Sequence, residues 1–337
     1  MRHFAFVRAN TLADAVTQGA AAPMSYIAGG TNLVDLMKYD VERPPKLVDI
    51  NALSLANIAE LGDGRLRLGA LVTNADTAYD LRVKERYPIV SSAILAGASA
   101  QLRNAATNGG NLNQRTRCYY FYNVATPCNK REPGTGCGAM DGVNRVNGIL
   151  GMSSACIATH PSDMCVALAV LNAKVNVANE AGERVIPIGN YHRLPGDEPW
   201  RDNTLQPGEL VTSIDLPAEQ FADHYTYLKL RDRQSYAFAL VSAAVVMRLE
   251  AGLITEARVA LGGVAPKPWR IVAAETLLHG QQPVDEVFYR FADALIEGAV
   301  GHGGNDFKIP LARRIIVRAC HQAANGTPQS QSDKRIA

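Results

Sequence analysis

No run of this sequence is apolar for long enough to cross a bilayer as a helix. The longest, "MCVALAVL" and "FALVSAAVVM", fall well short of the roughly 18 residues a span needs. Net charge is nearly absent as well: 34 Lys and Arg against 32 Asp and Glu leave +2, so neither a nucleic-acid footprint nor an acidic tail organises the chain. The opening "MRHFAFVRANTLADAV" lacks an extended apolar region followed by a small-residue cleavage site, so no secretory signal is expected. No internal repeat is present. The two glycine turns described below lack the Lys-Ser/Thr of a Walker loop and the G-x-G-x-x-G of a Rossmann site. The cysteines lack the C-x2-4-C pair that usually fixes adjacent corners of a structural zinc.

What is present is ordinary in bulk: 337 residues, 47% apolar and 20% charged, a soluble globular composition long enough for two or three domains. "HFAFVRA" alternates as a strand, and "TLADAVTQGA" takes up helical spacing behind a Thr11 cap. "MSYIAGG" is a short strand ending in glycines, "TNLVDLMKYD" a helix and "PKLVDI" a further strand. From about residue 60 follow a strand, "RLRLGALVT", and a helical stretch over "NADTAYDLRVKERYPIVSSAILAGA". "DMCVALAVLNA" reads as a buried helix, "KVNVANEAGERVIPIGNY" as a hairpin turning at Glu180 to Gly182, and "GELVTSIDLP" as a strand. From about residue 225 a strand, "HYTYLKLRD", precedes a long apolar segment and helices to about residue 325. The polar end, residues 326–337, reads as a disordered tail.

Two glycine turns could bring backbone N–H groups to an anion at a helix N-terminus. They are "YIAGGTNL" (residues 26–33) and "ATNGGNL" (residues 106–112). Each could equally be a plain tight connection. In "CIATHPSDMC" either Ser162 or Asp163 can cap the helix that follows, and His160 is a ligand, a base or a turn residue.

"RTRCYYFYNVATPCNKREPGTGC" has no evident helix or strand period. It opens the series Cys118-x9-Cys128-x8-Cys137-x18-Cys156. An iron–sulfur cluster, zinc, disulfides and buried thiols all remain open on spacing alone. Arg115, Arg117, Lys130 and Arg131 could offset thiolate charge, and Tyr119, Tyr120, Phe121 and Tyr122 could exclude water or simply anchor the loop. Cys165 and Cys320 lie in apolar helices and read as core thiols.

In order, "YIAGGTNLVDLMK", "QLRNAATNGGNL", "ATHPSDM", "GELVTSIDLP" and "YLKLRDRQSYAFALVSAAV" resemble the FAD-binding medium subunits of the xanthine dehydrogenase, or molybdenum hydroxylase, family. The resemblance runs from residue 1 to about 325. The insertion bearing the cysteines resembles that of bacterial periplasmic aldehyde oxidoreductases, whose flavin subunit carries an extra 4Fe–4S cluster. The implied fold is α+β. A two-lobed FAD-binding domain of the vanillyl-alcohol-oxidase type spans residues 1–222 (lobes 1–58 and 59–222, cysteine loop 115–156). A C-terminal domain with a three-stranded antiparallel sheet and helices spans residues 223–325.

Residue by residue, the resemblance places FAD pyrophosphate on Tyr26, Ile27, Ala28, Gly29, Gly30, Thr31, Asn32 and Leu33. A second contact falls on Thr107, Asn108, Gly109, Gly110 and Asn111, with Gly97 nearby. Asp163 would bond the FAD, Val211 would meet the flavin through packing or backbone, and Lys229 would lie near the isoalloxazine. Cys118, Cys128, Cys137 and Cys156 match the four cluster positions, and no catalytic residue is assigned.

The implied role is an electron-transfer subunit, passing electrons from two 2Fe–2S clusters of a small subunit through FAD to an external acceptor. A large molybdenum–pterin subunit would carry out the chemistry. Synthesis in the cytoplasm and co-export with a partner bearing a twin-arginine signal are the corresponding expectation for location. A stand-alone flavin oxidase and a zinc-stabilised interaction module are the alternatives.

Overall fold

The computed structural model describes residues 1–21 and 23–331. Three sheets organise it. The first is parallel: β1 (Ala5–Arg8), β2 (Ser25–Ile27) and β3 (Lys46–Asp49), with β3 central. The helix Leu12–Ala20 between β1 and β2 starts where Thr11 Oγ1 accepts the Asp14 N–H at 3.1 Å, the expected cap.

A five-stranded antiparallel sheet follows: β4 (Ile58–Glu60), β5 (Leu66–Gly69), β6 (Lys174–Asn179), β7 (Gly182–Pro187) and β8 (Leu210–Leu216), ordered β4-β5-β8-β6-β7. The β6–β7 hairpin turns between Asn179 and Gly182. Between β5 and β6 the chain leaves the sheet and builds both candidate sites. The single helical stretch expected over residues 74–98 is instead three helices, Asn74–Tyr79, Leu81–Arg86 and Pro88–Ala96. Asp80 stops the first and caps the second through the Arg82 N–H at 2.9 Å. Pro88 opens the third and keeps Tyr87 before it out of the helical region (φ −135°, ψ 53°), as proline disfavours helix in the residue that precedes it.

The third sheet, β9 (Tyr225–Leu230), β10 (Val241–Glu250) and β11 (Leu253–Gly262), is antiparallel with β10 central. It explains the long apolar segment. Along β10, Ala244 and Val246 point into the core shared with the five-stranded sheet. Ala243, Val245 and Met247 point into the core under the helices Asp285–Leu295 and Lys308–Ala324. With both faces buried from Val241 to Met247, no alternation of polar and apolar residues marks the strand, and Ser242 is the one polar residue in that run. The same sheet therefore joins the two halves, because the helix Asp163–Val170 packs on β10 and β11 from the first side. All seven residues Met164–Val170 are buried, as the sequence implied.

Beyond the last helix, the Gln329 N–H donates to Thr226 Oγ1 at 3.1 Å and the Lys229 N–H to Gln329 Oε1 at 3.3 Å. Residues 326–331 thus lie along β9 rather than forming the start of a loose tail. The rest of that expected tail, residues 332–337, falls outside the described residues.

Candidate functional site

The first glycine turn is open and under-bonded. Gly29 is exposed, and Gly30, Thr31 and Asn32 are half-buried. Among the described residues none of their four backbone N–H groups has a hydrogen-bond partner. Gly30 has φ +70°, which re-aims successive N–H groups toward one side. A Cβ on Gly29 would lie 1.8 Å from the Ala105 carbonyl oxygen, so the turn sits hard against the segment that leads into Thr107. Asn32 adds a side chain: its Oδ1 accepts the Arg115 N–H at 2.9 Å, while its buried Nδ2 is left without a partner. An orphaned buried amide costs about 1–3 kcal/mol. It fits a site that an acceptor such as a phosphate oxygen completes.

The flanking residues hold the turn in place. Tyr26 points away from it, donating to the carbonyls of Ala15 (3.1 Å) and Gly208 (2.9 Å), and burial pushes its hydroxyl up to about 12. Ile27 pairs with β3, the Ala28 carbonyl accepts from Asn51 Nδ2 at 3.2 Å, and Leu33 begins the helix Leu33–Lys38.

The second turn differs from expectation. Its N–H groups are already used: Asn108 to the Val72 carbonyl (3.0 Å), Gly109 to that of Ala70 (2.8 Å), Gly110 to Thr107 Oγ1 (3.2 Å) and Asn111 to the Thr107 carbonyl (2.8 Å). The Asn108 side chain is fully buried, bonding Asn74, Thr77 and the Gly69 carbonyl. Only Gly110 is exposed. The N–H groups of Asn108–Asn111 are therefore all paired, whereas those of residues 29–32 are without partners among the described residues.

Asn111 connects to a third group. Its Oδ1 accepts from Ser162 Oγ at 2.6 Å, and Ser162, not Asp163, caps the helix through the Cys165 N–H at 3.1 Å. Asp163 is consequently free to pair. Its carboxylate accepts from Tyr227 OH at 2.5 Å and Lys229 Nζ at 2.7 Å, with the Lys229 side chain 2% exposed. Lys229 and Arg231 also reach the Ala96 carbonyl, at 3.3 and 2.7 Å. A Cβ on Gly97 would stand 2.9 Å from Asp163 Oδ2, so a larger residue there would push against this pair. Val211 pairs with Val177 of β6, and its side chain is buried in the core.

Removing one partner of a buried pair strands the other, at a cost of about 3–5 kcal/mol. Lys229→Met and Asp163→Asn should each lower the denaturant midpoint by that equivalent, with the double variant losing less than the sum. Additive losses would show that the two groups do not act as a unit.

The cysteines form the second site. Cys118, Cys128, Cys137 and Cys156 line one cavity together with Tyr120, Phe121, Lys130 and Asn147, and all six cysteines of the chain are free thiols. The loop is held by a two-residue pairing of Cys128 with Cys137. Asn129 Oδ1 accepts the N–H groups of Gly134 (3.1 Å) and Gly136 (2.8 Å). Both glycines have positive φ, +86° and +97°. Two polar groups address the sulfurs: Asn147 Nδ2 lies 3.5 Å from Cys118 Sγ, and the Ala158 N–H lies 3.4 Å from Cys156 Sγ. Burial pushes the Cys118 thiol up, and the Cys156 thiol to about 11 against the pull of Lys130. These thiols become thiolates readily only when a cation accepts them.

The basic and aromatic residues divide their roles more finely than the sequence suggested. Arg115 and Lys130 both bind Asp202, Arg115 also binds Glu42, and Arg117 lies 3.4 Å from Asp35. Of the four, Arg131 bonds only carbonyls among the described residues, those of Tyr120 (2.6 Å), Phe121 (3.0 Å) and Thr126. Phe121 and Tyr120 line the cavity, Tyr119 is exposed, and Tyr122 turns to Asp35. The short helix Tyr119–Tyr122, with no sequence period of its own, produces this split.

Burial raises the Asp202 carboxyl, but Lys130 and Arg115 outweigh it and hold Asp202 down at about 2 against an ordinary 3.8. A depressed carboxylate contributes stability that is fully present above its unfolded value and lost as pH falls through the folded one. Acid unfolding between about pH 4 and 2 should therefore be steeper in the native chain than in Asp202→Asn; equal slopes would rule out this pairing as an acid-sensitive tie.

Known proteins resemble this chain in sequence and in fold. Residues 2–219 match the FAD binding domain in molybdopterin dehydrogenase, and residues 225–323 match the CO dehydrogenase flavoprotein C-terminal domain. The chain is similar to the aldehyde oxidoreductase FAD-binding subunit PaoB of Escherichia coli (strain K12). The two are 46% identical over 326 residues, covering 96% of this chain and 99% of that one. It is 26% identical to the glyceraldehyde dehydrogenase medium chain of Sulfolobus acidocaldarius over 289 residues, 84% of each. A chain of the carbon monoxide dehydrogenase from Hydrogenophaga pseudoflava superposes with a TM-score of 0.75 at 24% identity, covering 96% and 98%.

Proposed function

Since this chain belongs to the FAD-binding medium-subunit family of the xanthine dehydrogenase and CO dehydrogenase type, we propose that it is the electron-transfer subunit of a molybdenum-dependent aldehyde oxidoreductase, holding FAD and a 4Fe–4S cluster. The observation that carries the aldehyde assignment is the 46% identity along nearly the full length of both chains to an aldehyde oxidoreductase FAD-binding subunit. FAD would supply two-electron acceptance with release singly or in pairs.

The chain's own residues supply binding and positioning. The N–H groups of Gly29–Asn32 and the buried Asn32 Nδ2, all without partners among the described residues, are the donors for a diphosphate. The Asp163–Lys229 pair fixes the wall that Gly97 and β9 share. Four thiols converge on one cavity, which supports a metal group there. Their spacing favours a cluster over zinc. Sulfurs around one tetrahedral zinc stand roughly 3.8 Å apart at a Zn–S distance of about 2.3 Å. The sequence of these four cysteines holds no C-x2-4-C pair, which such close corners usually use. A cubane spans a wider set of thiolates.

Electrons would reach this chain from a small 2Fe–2S subunit, and the aldehyde chemistry would reside in a large molybdenum-cofactor subunit. Dye reduction by aldehydes tests the assignment. The chain alone should be inactive, and activity should appear when it is co-expressed with both partners and co-elutes with them. A monomer that oxidises aldehydes at full rate without partners would overturn the subunit reading and favour a stand-alone oxidase.

A further inference from the structure

A second constellation of ligand-type atoms lies apart from the four-cysteine cavity. One nitrogen of His160, one of His192 and the sulfur of Cys165 all fall within 4.8 Å of one another. The two rings stand 4.1 Å apart at 41°. His192 and Cys165 are buried, and Cys165 sits on the helix that Ser162 caps.

Both rings carry an unused atom. His192 Nε2 lies 2.9 Å from the Leu112 carbonyl, which can only accept, so Nε2 bears the proton and Nδ1 presents a lone pair. That Nδ1 is buried without a partner, and so is Nε2 of His160. A histidine whose other N–H donates to a backbone carbonyl is the usual arrangement of a metal ligand, because the second bond fixes tautomer and ring orientation. Burial holds His160 well below its ordinary value and His192 down at about 4, so both rings stay neutral.

We propose that His160, Cys165 and His192 form a three-coordinate site for a soft monovalent cation, Cu(I). Metal–nitrogen and metal–sulfur bonds of about 2.0 and 2.3 Å put trigonal ligand atoms roughly 3.5–3.7 Å apart, so small side-chain rotations from the observed spacing close the site. Charge selects the ion. One thiolate neutralises Cu(I), whereas Zn(II) would leave a net positive charge in an apolar region. The carboxylates that act on these residues are already committed, Asp202 to Lys130 and Arg115 and Asp163 to Lys229. Burial pushes the Cys165 thiol up to about 12, so Cys165 remains an inert thiol until a soft cation displaces its proton.

The test uses the flavin- and iron-loaded chain, anaerobically, with Cu(I) presented by bathocuproine disulfonate so that free copper cannot attack the other thiols. Native protein should withdraw about one Cu(I) per chain, with X-ray absorption showing two nitrogens and one sulfur as neighbours. Cys165→Ser and His192→Gln should each lose that copper while keeping flavin and iron. Glutamine retains an N–H for the Leu112 carbonyl, so His192→Gln isolates the ligand from the fold. Equal copper in native and variant chains would overturn the proposal, as would preferential uptake of Zn(II) by the same three residues.

Discussion

An Asn32→Asp chain is expected to purify with little or no flavin while remaining folded. Asparagine and aspartate have the same shape, and the oxygen that accepts the Arg115 N–H at 2.9 Å is present in both. What changes is the buried Nδ2, which has no partner within the protein; in the variant an anionic oxygen occupies its place. If the diphosphate of FAD lies over Gly29–Asn32, a donor becomes a like charge. Two unit charges about 4 Å apart cost between about 1 kcal/mol in water and 4 kcal/mol near a protein surface, roughly fivefold to several hundredfold in affinity.

Gly29→Val approaches the same question by shape. Its Cβ would meet the Ala105 carbonyl oxygen at 1.8 Å, a backbone atom that cannot swing aside, so the two turns must separate. Gly189→Ala is the matched control, since its added methyl meets nothing within 4 Å. Full flavin in both Asn32→Asp and Gly29→Val would mean that the first turn is only a connection.

The second large effect is expected at the cysteines. Cys118→Ser should remove most of the iron and bleach the broad absorption near 400 nm, because Cys118 is one of four thiols on a single cavity and is tied to it by Asn147. Cys320→Ser should leave the iron unchanged, since that thiol lies in the separate core beneath the C-terminal helices. The loop around Cys118 has little regular structure of its own. Its small apolar cluster, including Phe121, Ala139 and Ile157, would draw on the proposed metal group for stability. The Cys118→Ser chain should therefore be cleaved by protease within residues 115–156 sooner than the native chain. Iron retained in Cys118→Ser would remove that residue from the ligand set.

The sequence was most readable where local chemistry decides the outcome. The Thr11 cap, the turn between Asn179 and Gly182 and the wholly apolar helix Asp163–Val170 each follow from a few adjacent residues. It was least readable where partners come from elsewhere in the chain. Nothing within "ATNGGNL" announces that its N–H groups are taken by Ala70 and Val72. That pairing leaves the two similar glycine turns with different free donors. In the same way, Cys165 reads as a core thiol until the fold brings His160 and His192 beside it, and Arg131 is distinguishable from Arg115 only once Glu42 and Asp202 are in place. Helical spacing over residues 74–96 was real but did not register the interruptions at Asp80 and Pro88, where capping and proline sterics override it.

The central claim is that one chain carries both a flavin and a four-iron cluster. Elemental analysis and flavin release from the anaerobically purified native chain test it most directly. About four irons and one acid-released FAD per chain are expected, together with an electron paramagnetic resonance signal of a reduced cluster after dithionite. One zinc per chain with no iron, or flavin that stays with the acid-precipitated protein, would contradict it.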